Sequence, residues 1–562
     1  MNKKLCLTLA LGGALMLSSC GKKLGQFSSD YFTTNPNPLE VVGEKVPATV
    51  TGNIPAKFFV KNASVTVTPY LVYNGQETPS QAYTFQGEKV QGNAPVVNYQ
   101  YGGTITIPVS YNYVPAMAKS ELMLDFVVTQ GNKTYALPRV KVANGVVATA
   151  ALADAATVNP ALAPDKFQRV INDKYTADIL FLINKANIRA EQLKTDAMVE
   201  LQKEIANTYG NDKRVLKEIN IKSYASPDGP LAFNTELAQN RENTTKGYVN
   251  EQLQKDKIKE FNDLTAEFTP EDWEGLQKMV AQSDIQDKDL ILSTLSMYQD
   301  PEQREKELRN LMNVFDVLAD KILPQLRYSR ITASIDAIGK SDSELKEVYA
   351  SKPDSLTIEE LLYVATLTDD PAQQKGVYTT ATQVYPNDYR AYNDLGMVQY
   401  AQGDYAAAKQ SFAKAAQLSG SAAEPQMNLG LVELLNGNYA AANKYFGSAA
   451  GQNGLGDALG VYYLKQGDNA AAARAFADSK SNNAALAQIL TKDYSKAKST
   501  LAGISKPDAI TYYLSAVLGA RTNNENMLIS NLRQAIRLDN KLAALAANDL
   551  EFANFNISNL VK

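Results

Sequence analysis

The strongest constraint on this chain is a self-similarity in its C-terminal third. Tyr392-x-x-Leu395-Gly396 is followed by Gly403-Asp404-Tyr405-x-x-Ala408-x-x-x-Phe412-x-x-Ala415. Gln426-x-x-Leu429-Gly430 is followed by Asn438-Tyr439-x-x-Ala442-x-x-x-Phe446-x-x-Ala449, so the pattern returns after 34 residues. A period of that length holds one pair of helices, and a lone pair has nothing against which to bury its apolar face. Ala408, Phe412 and Ala415 fall at three- and four-residue steps and share one helix face. Small residues let the two helices of a copy approach, and the aromatic wedges between neighbours. Stacking is therefore required, and it gives an open array in which each copy touches the next.

These positions resemble the tetratricopeptide repeat. A third copy around Leu459-Gly460, Gly467-Asp468, Ala472 and Phe476 arrives early, and one near Tyr494, Ala497 and Leu501 is truncated. Tyr378, Ala381 and Pro386 close a degenerate first copy, and Leu532 with Ala535 marks the last. The resemblance implies an all-α solenoid over residues 355–560. Its concave surface is expected to take a peptide segment or a partner domain, with no chemistry of its own.

A second organised stretch is Lys217–Gln254. Ile219 and Ile221 alternate with polar neighbours, so Glu218–Tyr224 reads as a strand with one buried face. Ser226-Pro227-Asp228-Gly229-Pro230 is turn chemistry that ends it. A helix follows, with Asn234, Leu237, Arg241, Thr244 and Tyr248 at helical steps. Ser223–Gly229, then Asn234-x-x-Leu237-Ala238-x-x-Arg241-Glu242, resembles the OmpA-like peptidoglycan-binding domain, whose signature is G-H-T-D-x-x-G followed by N-x-x-L-S-x-x-R-A. Ala177–Arg189 looks like the first strand of that family and Arg327–Ile335 like its closing strand. The resemblance implies an α+β fold and a peptidoglycan-binding set of Arg241, Asn234, Ser226 and Asp228. In the family, the Asp of the signature and the helical Arg hold diaminopimelate. Here Ser226 stands at that Asp position and Tyr224 at the His position. A hydroxyl cannot balance an ammonium group, so binding is expected to weaken unless Asp228, two residues on, supplies the carboxylate.

What the chain lacks narrows its chemistry. It contains no histidine, which excludes His-based triads and the usual zinc sites. Its two cysteines are Cys6 and Cys20. Net charge is −4 with no basic block, so nucleic-acid binding has no electrostatic footprint. No catalytic residue, metal ligand or cofactor is assigned. Asn2-Lys3-Lys4, an apolar run and Leu17-Ser18-Ser19-Cys20 resemble a lipoprotein signal that leaves Cys20 N-terminal and acylated. Gly21-Lys22-Lys23 carries no Asp at the second mature position. The expected location is the outer membrane, lipid-anchored and facing the periplasm, with the bilayer as one partner.

The expected order is a signal peptide (1–19), a tether (20–38) and a β-sandwich-like domain (39–147). An Ala/Pro-rich linker (148–172) leads to an OmpA-like domain (173–340) with a helical insertion (270–325), and the repeats follow at 355–560. Ile105-x-Ile107-x-Val109-x-Tyr111-x-Tyr113 and Leu122-x-Leu124-x-Phe126 supply the clearest strand alternation. Tyr70, Tyr73, Tyr99, Tyr101, Tyr111 and Tyr113 are expected to fill alternate strand faces, a tyrosine binding patch being the other reading. The insertion opens at Thr269-Pro270-Glu271-Asp272, with Pro270 at the first helical position. The function expected is a non-enzymatic scaffold or adaptor of an envelope assembly, secretion or uptake complex. Its OmpA-like domain would dock on peptidoglycan or a partner, and its repeats would recruit another outer-membrane or periplasmic protein. The alternatives are a structural or anchor subunit of a surface appendage, pairing through a β-edge, and an envelope enzyme.

Overall fold

The computed structural model describes residues 23–561, so Cys20 and the signal segment lie outside the described residues. The chain divides into two compact units. One combines the N-terminal region through Pro164 with everything from Asp369 onward, and the other is Asp165–Thr368.

The N-terminal region is built of β1 (Phe32–Asn35), β2 (Leu39–Glu40), β3 (Lys45–Ile54), β4 (Ala63–Tyr73), β5 (Gln76–Pro79), β6 (Tyr83–Gly87), β7 (Val96–Val97), β8 (Gly103–Asn112), β9 (Glu121–Gln130), β10 (Lys133–Asn144) and β11 (Val146–Val147). One sheet runs β1-β3-β8 and a larger one runs β10-β9-β4-β6-β7, with β5 also paired to β4. Alternate residues of β3, β4, β8 and β9 are buried. Val50, Ile107 and Val109 from the smaller sheet thus share a core with Val67, Leu124 and Phe126 from the larger. The tyrosines divide between the strand faces, against the alternative of a binding patch: Tyr73 and Tyr111 are buried, whereas Tyr101 is 84% exposed. The tether also ends earlier than expected. Leu24 and Phe27 are buried in this core, with Phe27 stacked on Phe126 at 4.3 Å, because two apolar side chains gain more under the sheet than in water.

The second unit holds β12 (Val170–Leu180), α1 (Asp196–Ala206), β13 (Arg214–Tyr224), α2 (Leu231–Lys255), β14 (Asp263–Thr269), α3 (Trp273–Gln282), α4 (Lys288–Met297), α5 (Pro301–Asn310), α6 (Met312–Lys321), β15 (Tyr328–Ile338), α7 (Asp342–Ser351) and α8 (Ile358–Thr366). Its sheet runs β12-β15-β13-β14, with β13 and β14 parallel and the other pairs antiparallel. The first strand stops at Leu180 rather than spanning Ala177–Arg189. Asp272, not Pro270, starts α3: its carboxylate accepts the Gly275 N–H at 2.8 Å. Trp273 packs against the core of α3–α6 with its indole N–H donated to Glu271. The buried face of α2 is Asn234, Ala238, Arg241, Thr245, Val249 and Leu253. That is a rotation away from Leu237, Thr244 and Tyr248, since small Ala238 and Thr245 let the helix lie close to the sheet.

The repeats comprise α9 (Pro371–Val384), α10 (Tyr389–Ala401), α11 (Tyr405–Ser419), α12 (Ala423–Leu435), α13 (Tyr439–Ser448), α14 (Leu455–Gln466), α15 (Asn469–Phe476), α16 (Asn482–Leu490), α17 (Tyr494–Ala502), α18 (Ala509–Arg521), α19 (Glu525–Leu538) and α20 (Lys541–Ala546). Successive helices pair as α10 with α11, α12 with α13, and so on to α18 with α19. The array does not begin at residue 355. Tyr363 of α8 stacks on Phe167 at 4.4 Å, and Lys340 pairs with Glu360 at 2.8 Å. These contacts tie α8 into the second unit.

Candidate functional site

Two places concentrate polar groups against a concave surface. The first is a cleft of about 400 Å³ where the loop after β13 meets α2. Ser226, Asp228, Asn234 and Arg241 all line it, so the four expected residues do come together. Their roles differ from the expected ones. Arg241 is 0% exposed, and its guanidinium donates to the carbonyls of Tyr224 at 2.7 Å, Lys185 at 3.1 Å and Leu182 at 3.3 Å. It also lies 5.1 Å from the Phe181 ring. Its hydrogen-bond partners are carbonyls and not carboxylates, and burial, helped by the neighbouring Arg327 charge, pushes its pKa down to about 10. Arg241 is therefore a clamp on the β12 exit loop.

Asp228 also lines the cleft, but its carboxylate is already engaged. Its carboxylate accepts from the Ser226 hydroxyl at 2.5 Å and from the Arg327 guanidinium at 3.0 Å. Asn234 donates to the carbonyls of Ser226 and Gly229 and to Glu271, which holds the loop in shape. Arg309, on α5, reaches the same cleft and donates to the Asp228 carbonyl. With three arginines and one aspartate, the lining is net positive. Ile183 and Phe233, both exposed, add apolar surface beside it. Such a cleft suits a carboxylate with an apolar stem, and Asp228 can meet an ammonium only by sharing it with Arg327. The sequence pattern pointed to Arg241 and Asn234; it gave no sign of Arg309, which a separate helix delivers.

The second place is the repeat groove, and it overturns the expected linker. Residues 149–164 are not a free spacer. Ala153, Ala155, Val158 and Ala161 belong to the same buried core as Phe412, Phe446 and Phe476. The segment is held by its backbone. Asn428 accepts the Ala161 N–H at 2.6 Å and donates to the Ala161 carbonyl at 2.8 Å. Asn483 does the same for Asp154, at 3.0 and 2.8 Å. Asn393 donates to the Ala161 carbonyl, Tyr400 to the Ala155 carbonyl at 2.8 Å, and Asp394 accepts the Ala163 N–H at 2.9 Å. Asp394, Asn428 and Asn483 each precede by two residues the small residue of their own helix, Gly396, Gly430 and Ala485. They are one repeat position used three times. Because Asp154 meets α16 and Ala163 meets α10, the segment runs against the order of the repeats.

The larger sheet's free edge, β10, bears on the strand-addition alternative. It carries Pro138, Arg139 and Lys141 and two breaks of register. Those features blunt an edge against further pairing.

No family model matches the chain, and no curated protein matches it. Among solved structures it is similar to a tetratricopeptide repeat protein from Parabacteroides merdae, at 13% identity over 37% of this chain and 90% of that one, with a TM-score of 0.30. Similarity to Pseudomonas aeruginosa PilF runs at 18% identity over 39% of this chain and all of that one, with a TM-score of 0.29. The APC/C hetero-tetramer Cut9–Hcn1 gives 16% identity over 35% of this chain and 44% of that one, with a TM-score of 0.32. At such scores the helical-repeat architecture stands on its own paired helices and their 34-residue step.

Proposed function

We propose that this chain is a non-enzymatic scaffold lipoprotein of the outer membrane, anchored through Cys20 and facing the periplasm. In this reading the second unit is an OmpA-like module that docks on the cell wall or on a partner protein. The supporting observation is the cleft, where Ser226, Asp228, Asn234 and Arg241 converge between β13 and α2 as that family's pattern implies. The chemistry favours one end of the wall peptide. Arg309, paired with Glu305, and Arg327, paired with Asp228, are the cations a stem-peptide carboxylate would meet, and the Asp228 carboxylate is already engaged. The ammonium of diaminopimelate gains little there, so wall binding is weak and salt-sensitive. The repeats and the β-domain supply the remaining surface, on which a larger envelope complex assembles.

A pull-down on purified sacculi tests the wall reading with folded variants. Ser226→Asp, which restores the family carboxylate, is expected to strengthen binding severalfold, and Arg309→Ala to weaken it. Strong wild-type binding that Ser226→Asp leaves unchanged would overturn the assignment of roles in the cleft. Metabolic labelling with an alkyne fatty acid tests the anchor: the wild type should be labelled, and Cys20→Ala should be unlabelled and released from membranes.

A further inference from the structure

The repeat array arrives with its concave surface filled. Residues 153–163 lie in it as an extended segment broken by one short turn at Ala155–Thr157. Ala153, Ala155, Val158, Ala161 and Ala163 point inward, each no more than 6% exposed. Ala156, Thr157 and Asn159 face out. Side chains of the array hold the segment mainly through its peptide groups, with one further bond from Asn483 to the Thr157 hydroxyl at 2.9 Å, and the bonds to peptide groups do not depend on which residue carries them. What the groove selects is size: five inward positions take nothing larger than valine.

The array does not need this segment to close its own helix pairs. A Cβ added at Gly396, Gly430 or Gly460 would fall within 2.7 Å of Phe412, Phe446 or Phe476 respectively. Each pair is thus packed by its own residues, and the segment lies on top of a surface already formed. It joins no strand ladder. It has the geometry of a bound peptide that happens to be covalently attached.

We infer that the concave groove is a peptide-binding site occupied in cis by residues 153–163, and that the external segment it takes is extended, uncharged and small at the same steps. This rests on reading the array as an interaction surface, and it adds what that surface recognises and what keeps it closed. A tethered ligand acts at an effective concentration on the order of millimolar. A partner present at micromolar concentration cannot displace it, so the groove opens only when the segment is pulled out.

The test uses the full chain and a labelled synthetic peptide of residues 152–164. Ala155→Asp with Ala161→Asp places two charges in dry positions and is expected to eject the segment while the helices stay folded by circular dichroism. The ejected chain should bind the peptide about a hundredfold more tightly than wild type does. Adding Asn428→Ala should abolish that gain. Equal binding by wild type, or no binding by an ejected and folded chain, would overturn the inference. So would collapse of the helices on ejection, which would make the segment a layer of the core rather than a ligand. In wild type, the amides of Ala161 and Ala163 should also exchange slowly with solvent. If these tests fail while crosslinking still captures envelope partners on wild type, the scaffold reading stands and only the groove is lost to it.

Discussion

At the scale of single residues, two buried charges set measurable behaviour. Asp394 is buried beneath Ala163, and burial pushes its carboxyl up to about 7 against the pull of the Ala163 N–H, the Asn393 amide and Arg390. The unfolded chain loses that proton near the ordinary carboxylate value of about 3.9. Between those values the folded state holds a proton that the unfolded state has lost. Stability of the repeat unit should therefore fall as pH rises from about 4 to 7, by up to about 1.4 kcal/mol per pH unit, and level off above. Asp394→Asn keeps an acceptor for Ala163 and removes the charge. Urea unfolding of wild type and variant at several pH values in this window should show the slope in the first and its loss in the second. Arg241 is the other case. Arg241→Ala leaves the carbonyls of Tyr224, Lys185 and Leu182 without their donor, at a cost of about 2–5 kcal/mol. Thermal melting of the second unit would detect it. This variant would lose wall binding by unfolding the site, which is why Arg309 and Ser226 are the better probes.

Among the helices, the repeat pattern contains a size rule. Gly396, Gly430 and Gly460 stand sixteen residues before Phe412, Phe446 and Phe476. At the same spacing, Ala485 precedes Leu501 and Ala516 precedes Leu532. Where the wedge is a ring, the facing residue has no Cβ; where it is leucine, a methyl group is allowed. A Cβ at Gly430 would lie 2.5 Å from Phe446, a distance that forces the ring to move. Gly430→Ala should destabilise the unit by about 1–3 kcal/mol. Phe446→Leu in the same chain should recover part of that loss, because leucine is what faces alanine elsewhere in the array. A double-mutant cycle by chemical denaturation reads the coupling, and strictly additive losses would contradict the rule.

For the whole molecule, the unit boundaries cut across chain order. Asp165–Thr368 is one compact piece inserted between the groove segment and the repeats that hold it. Its sheet, its two helical layers and the Phe167–Tyr363 and Lys340–Glu360 contacts close within it. Residues 165–368 expressed alone should therefore melt cooperatively. Residues 369–562 alone should expose the groove, and added peptide 152–164 should raise their melting temperature. The β-domain meets the repeats directly, with Gly43 against Lys465 and Gly467, and just before the groove segment, where Thr149 donates to Glu551, which also pairs with Arg521. Leu550 packs over Gly145.

The sequence by itself determined the elements whose signal is local and repeated. The 34-residue step placed the helix pairs, alternation placed β8 and β9, and the Ser226–Pro230 turn placed the end of β13, because period and turn chemistry act within a few residues. It also brought Ser226, Asp228, Asn234 and Arg241 to one cleft. Only the tertiary structure decided what those residues do there. Arg241 is spent on three carbonyls and Asp228 on Arg327, partners that lie 17 to 99 residues away. It alone decided that most of ATAALADAATVNPALAP packs against the repeats and is not a free spacer. An Ala/Pro-rich stretch has no period to read, and its structure is supplied by side chains such as Asn428, 267 residues away. A segment without a pattern of its own takes its conformation from the surface that buries it, and that surface is assembled only when the repeats stack.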